Sequence, residues 1–160
     1  MAHKVLIALD SSEGAWHAVE YVAGAFGCAP ETQVTLLHIL SGLPPAFWDD
    51  GHVLKDQEKE SRERLVRNWQ QEQEKRWQGL VNKAQERLTG AGISPDAVAS
   101  KFKPKYYDVA EDILSEGETA KFDTIVMGRR GLGMAKSVLL GSVTQKVVQN
   151  AKGCAVIIVK

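Results

Sequence analysis

The chain has 160 residues, with 20 Lys and Arg against 20 Asp and Glu, and 44% hydrophobic against 25% charged residues, the size and make-up of one soluble domain, 1–160. A formal net charge of zero leaves no global field to recruit nucleic acid or an anionic membrane, and no apolar stretch nears the roughly 20 residues of a membrane span. Cys28 and Cys154 have no Cys or His at metal-ligand spacing, so they read as small apolar residues at the edges of core elements.

Met1-Ala-His-Lys passes directly into an apolar run, without the h-region of a signal peptide. A cytoplasmic protein is expected, in which a disulfide would be out of place. Val5-Leu-Ile-Ala-Leu9 is too short for a helix and suits a central strand. Asp10 ends it, and Ser11-Ser12-Glu13 supplies an N-cap and an acidic first turn. Ala15, Val19, Val22 (or Ala23) and Phe26 follow at helical spacing, with Gly27 or the Pro30 region closing the helix.

Val34 to Leu40 is the second strand. His38 lies inside it without an obvious partner and reads as a structural histidine rather than a base. Ser41-Gly-Leu-Pro-Pro45 breaks regular structure. A charged segment, about 49–89, then reads as one long helix closing at Gly90-Ala-Gly92. Leu65, Trp69, Trp77, Leu80, Val81, Ala84 and Leu88 form its apolar stripe, with a gap near Gln73. Its N-terminal half, Asp49 to Arg76, interleaves acids with bases, which argues against a nucleic-acid stripe. That half is expected to project into solvent or against a protein partner; a salt-laced solvated face accounts for its charges, but Trp48, Trp69 and Trp77 call for covering by the fold or a second subunit.

Val98 to Phe102 predicts a polar edge strand. Asp108 can cap a helix carrying Val109, Ala110, Ile113 and Leu114 and stopping near Gly117. Thr124-Ile-Val-Met127 is an apolar, β-branched run suited to a buried parallel strand, and Ala155 to Val159 is the last strand. Between them the chain turns Gly-rich and basic before resuming as a helix from Ser142, placed as its N-cap with Gln145 as capping-box partner.

Strand, glycine loop, helix N-terminus is an arrangement with a chemical use. The first turn of a helix offers unpaired N–H groups and positive potential to an anion. Gly128, Gly131 and Gly141 would let the backbone approach a phosphate chain, Ser142 could donate to it, and Arg129 or Arg130 could neutralise it. A plain surface loop with solvated arginines is the alternative on spacing alone. A P-loop is excluded, because Met134-Ala135 separates Gly133 from Lys136-Ser137, and Gly131-Leu-Gly133 lacks the third glycine of a dinucleotide fingerprint. Asp10 stands at the carboxyl end of its strand, as Met127-Gly128 does. If those strands are neighbours, Asp10 shares the crevice and could contact a ribose or hold Mg²⁺ against phosphates; capping the next helix is its other role.

Gly128-x2-Gly131-x9-Gly141-Ser142 resembles the ATP-binding signature of the universal stress protein family. Lys4 to Glu13, Leu36 to Leu40 and Cys154 to Val159 resemble that family's first, second and last strands. Five strands alternating with four helical patterns already argue a doubly wound parallel α/β sheet. The resemblance implies strand order 3-2-1-4-5 with helices on both faces, an adenine-nucleotide alpha-hydrolase-like fold. It also implies ATP as ligand: Ile39 backbone groups at the adenine, Met127 around the base, Asp10 and Gly128 at the ribose, and Gly131, Gly141, Ser142 and Val143 at the phosphates. A homodimer, commonly through strand 155–159, is implied as well. Family members often carry a glycine ahead of the third helix, where this chain has Lys103-Pro-Lys-Tyr-Tyr107. That departure is expected to reshape one wall of the pocket.

Three function classes are compatible with these residues. The first is an ATP-binding regulatory protein of the stress response, and the second a slow ATPase or nucleotidyl-transfer enzyme using the same pocket. The third is a dimeric scaffold with a vestigial pocket. No general base stands near the loop, and neither the Ser-Gly-Gly-x-Asp-Ser loop of ATP pyrophosphatases nor an adenylyltransferase histidine pair occurs. No catalytic residue is therefore assigned, although hydrolysis at Mg²⁺ needs only a positioned water.

Overall fold

A computed structural model of the chain describes residues 2–29, 31–42, 55–132 and 139–160. Trp48, the Pro44-Pro45 break, residues 49–54 of the charged segment, Pro30 and the loop residues Gly133 to Ser137 lie outside them. Five strands, β1 (His3–Ala8), β2 (Thr32–Leu40), β3 (Val98–Pro104), β4 (Thr124–Gly128) and β5 (Ala155–Val159), form one sheet of order β3-β2-β1-β4-β5. Every pairing is parallel. Among the described residues the helices are α1 (Glu13–Phe26), α2 (Asp56–Gly90), α3 (Val109–Thr119) and α4 (Ser142–Asn150), with a 3₁₀ turn at Pro95–Ala97.

Successive strand residues point to opposite faces, and here both faces are apolar. Val5, Ile7, Val34, Leu36 and Val126 bury one face against Ala18, Val19 and Val22 of α1 and Val81 and Leu88 of α2. Leu6, Leu37, Ile39, Ile125 and Met127 bury the other against Ala110, Ile113 and Leu114 of α3 and Val147 of α4. That is why the strand sequences read as continuous apolar runs instead of alternating ones.

Where the chain departs from the expectations, the reasons are local. α4 begins with Ser142 as its first helical residue and Gly141 as N-cap, with no side-chain cap. Gly141 already sits in extended backbone and its carbonyl accepts from the Gln145 N–H at 2.8 Å, so the Ser142–Gln145 capping box does not form. At α1 the cap is Ser12, within the stretch read as the cap, its hydroxyl accepting from Ala15 N–H, and only the alternative capping role of Asp10 is not taken up. The α2 stripe holds only in its C-terminal half. Trp77, Val81, Ala84 and Leu88 are buried there, whereas Leu65 is 54% exposed and half-buried Val66 takes the inward position beside half-buried Trp69 and Gln73. The 35 residues of α2 make a rod of about 52 Å, far longer than the sheet it covers.

Candidate functional site

The sheet order sets the site. β1 and β4 are neighbours, Val5 opposite Thr124 and Ile7 opposite Val126, so Asp10 and the glycine loop emerge side by side at the carboxyl ends of parallel strands. This is where strand order reverses and where such sheets bind ligands. A Cβ placed on Gly131 would lie 3.1 Å from Asp10 Oδ2.

Asp10 is held from both sides. The Leu9 N–H donates to the Leu37 carbonyl at 2.8 Å, and Asp10 Oδ1 accepts from the Ser12 N–H at 2.8 Å. α1 then leaves the crevice with Gly14 pressed on β4. A Cβ at Gly14 would lie 2.8 Å from the Arg130 carbonyl oxygen, and one at Gly128 would lie 2.4 Å from the Gly14 carbonyl carbon. These two glycines let the helix and strand backbones touch. α4 is tied in as closely: Gly141 N–H donates to Arg129 O at 3.0 Å, and the buried Thr144 hydroxyl donates to Gly128 O at 3.1 Å.

Together these elements enclose a cavity of about 260 Å³. Asp10, Ile39, Met127, Gly128, Arg130, Gly131, Gly141, Ser142 and Val143 all line it, whereas Arg129 is not among the lining residues. Arg129 instead uses its backbone, donating to Val159 O at 2.9 Å and accepting from Gly141. The cavity lining includes two helix N-termini, Ser12 with Ala15 and Gly141 through Thr144, together with Arg130. Both N-termini carry positive potential and outward N–H groups. Asp10 is the one carboxylate among the described lining residues. Leu37, Ile39, Val109, Ile113 and Met127 give the cavity an apolar part of its wall, and His38 and Ser41 line it too. A flat apolar body with an anionic tail is the ligand shape such a cavity suits.

The α3 wall is fixed by an ion cluster. Lys146 Nζ lies 2.6 Å from Asp108 Oδ2 and 2.9 Å from Glu111 Oε1, while Asp108 Oδ1 also accepts from Glu111 N–H. The lysine and that N–H hold the Asp108 carboxyl below its ordinary range, and the two carboxylates push the Lys146 ammonium up. The segment that departs from the family pattern turns outward: Tyr106 and Tyr107 are 81% and 73% exposed, and their N–H groups donate to the Asp112 carboxylate. Val109 and Ile113 make the wall.

Sequence reading missed Gly14, Thr144 and Lys146. Gly14 carried a usable signal, a glycine in the first turn of a helix where a good helix former belongs. Thr144 and Lys146 act through partners 16 and 38 residues away, which no local pattern records.

A doubly wound parallel sheet with a crevice at its switch point belongs to the class of folds that hold their ligands at the carboxyl ends of the strands. The universal stress protein family profile matches residues 1–160, and the chain belongs to that family. Universal stress protein YxiE of Bacillus subtilis is 25% identical over the full length of both chains. Universal stress protein Sll1388 of Synechocystis is 28% identical, covering 98% of this chain and 97% of its own. Among solved structures, the hypothetical protein MJ0577 superposes with a TM-score of 0.74 at 25% identity, over 100% of this chain and 96% of its own. The same fold recurs in a family protein from Arabidopsis thaliana with AMP bound (TM-score 0.64, 17% identity, 99% and 91% covered). It recurs too in one from Archaeoglobus fulgidus in complex with dAMP (0.60, 16%, 100% and 98%).

Proposed function

We propose that the chain binds ATP in this crevice and acts as a nucleotide-dependent regulatory protein of the stress response. The observation that carries the reading is the mixed lining of the cavity, apolar residues that would form a slot together with two helix N-termini and Arg130. Adenine would lie in the slot, with Ile39 backbone groups at its polar edge and Met127 and Ile113 against its faces. Asp10 and Gly128 would flank the ribose. Gly131 and the first turn of α4, Gly141-Ser142-Val143, would take the phosphates, with Arg130 beside them. The family members solved with AMP and dAMP support an adenine nucleotide.

Mg²⁺ would arrive with the phosphates. Among the described residues no group of three or more His, Cys, Asp and Glu could cage a metal. One carboxylate oxygen, Asp10 Oδ2, with phosphate oxygens and water suits this cation. It would screen the phosphate charge that Asp10 otherwise opposes.

The protein acts as a homodimer in this reading, pairing through β5. Val156 to Val159 stay only half-buried although both sheet faces are covered. The overhanging half of α2 is the surface for a further protein partner.

The test is to purify the protein without added nucleotide, denature it, and identify what is released. ATP near one per chain is the expected result and indicates a sequestering switch. ADP or AMP would favour an enzyme, and a pocket that also refuses added Mg-ATP would favour a scaffold.

A further inference from the structure

Asp10 is the only acid on the described cavity wall, and its position depends on a residue that sequence reading set aside as merely structural. β1 ends at Ala8, so the carbonyl of Leu9 lies past the paired part of the strand. That carbonyl is taken by a side chain: His38 Nδ1 lies 2.9 Å from Leu9 O. A carbonyl oxygen only accepts, so Nδ1 carries the hydrogen and donates it. The peptide joining Leu9 to Asp10 is thereby fixed by its oxygen, just after the Leu9 N–H has been fixed by Leu37 O. The carboxylate that follows is fixed by Ser12 N–H.

The ring itself is locked. His38 stacks on Trp77 of α2 (centroids 5.3 Å apart) and on Phe102 of β3 (5.6 Å), and those two rings are 6.0 Å from each other. Trp77 is buried. Imidazole therefore offers two separable properties here, a ring face that packs and a hydrogen that pins the Leu9–Asp10 peptide. Without the donor, a carbonyl in a largely apolar site loses its partner, and the peptide is free to turn toward water. Asp10 would turn with it, away from the place beside Gly131 where its Oδ2 stands 3.1 Å from the position a Cβ would take.

We propose that His38 is a positioning residue for nucleotide binding, holding Asp10 at the ribose and Mg²⁺ end of the crevice through Leu9 O. This rests on the nucleotide reading given above. The two properties of the ring separate in two variants. His38→Phe keeps an aromatic face for Trp77 and Phe102 but has no donor. His38→Asn loses the face but places an amide N–H on the atom bonded to Cγ, where Nδ1 stood.

The experiment measures Mg-ATP affinity by calorimetry, thermal midpoint, and amide hydrogen exchange at Asp10 and Ser12 in nucleotide-free protein. His38→Phe should melt near wild type, bind about tenfold more weakly, and lose protection at Ser12, whose N–H reports the Asp10 carboxylate. His38→Asn should melt earlier yet keep Ser12 protection and bind within about threefold of wild type. Wild-type affinity and protection in His38→Phe, or equal losses in both variants, would overturn the proposal. Should wild type itself take no adenine nucleotide, the nucleotide reading fails, and Ser12 exchange in the two variants still decides whether His38 positions Asp10.

Discussion

Glycines in the loop look alike in the sequence, and the structure separates them. Gly128 is required by the fold, since any Cβ would overlap the backbone of Gly14 at 2.4 Å. Gly141 is different. Its backbone is extended at φ −66° and ψ 153°, and the nearest atom to an added Cβ is 3.5 Å away, an ordinary contact. Gly141→Ala should therefore keep the thermal stability within about 1 kcal/mol. In the proposed complex that methyl would stand against the phosphates, and Mg-ATP affinity measured by calorimetry should fall at least about tenfold. Gly128→Ala should instead cost at least about 1–3 kcal/mol of folding stability in urea melts. Wild-type affinity in Gly141→Ala would remove the α4 N-terminus from the phosphate site.

The two edge strands are protected differently. β3 carries Lys101 and Lys103, both bonded at 2.5 Å to Glu116 of α3, a carboxylate only 5% exposed. Burial pushes Glu116 up, but the two ammonium groups outweigh it and hold the carboxyl below its ordinary value of 4.5. A group depressed on folding adds stability above its unfolded pKa and loses it as pH falls through the folded one. The cluster should therefore stabilise the protein at neutral pH and fade below about pH 4. Glu116→Gln should melt below wild type at pH 7 by a difference of about 1 kcal/mol, because the lysines left behind are 44% and 48% exposed and return to water. That gap should shrink on acidification, and a gap independent of pH would assign the loss to packing. The same lysines, with Pro104 ending the strand, discourage another chain from pairing there.

β5, at the other edge of the molecule, has no such guard: its sequence is Ala-Val-Ile-Ile-Val. Ala155 N–H donates to Asp123 O, and Val159 O accepts from Arg129 N–H. Odd-numbered residues thus face β4, and Val156 and Ile158 turn their N–H and C=O groups to the open edge. An apolar edge of this kind is an aggregation liability unless a partner covers it, which supports the proposed homodimer. Ile158→Pro removes an outward N–H and no internal one. Light scattering after size exclusion should then show a monomer, while far-UV circular dichroism stays native. A wild-type protein that already runs as a monomer would exclude β5 as the interface.

Much of this molecule was legible because its elements are written in local chemistry. β5 was read at its observed bounds, and α3 was read with Asp108 as its cap, because apolar runs and cap residues act over a few positions. The glycine spacing and Asp10 were likewise visible along the chain. The far half of α2 misled, since Leu65 and Val66 are adjacent apolar residues and only packing against the rest of the protein selects one of them. Beyond such local signals, the β1–β4 pairing was expected only through the family resemblance, and three contacts waited for the tertiary structure. The β1–β4 pairing brings Asp10 to Gly131, and the contact of Gly14 with Gly128 seats α1 on the loop. The bond from His38 to Leu9 O joins residues 29 positions apart. Composition and periodicity report what each segment prefers, but hydrogen bonds and close backbone contacts between distant segments exist only after the sheet has brought their ends together.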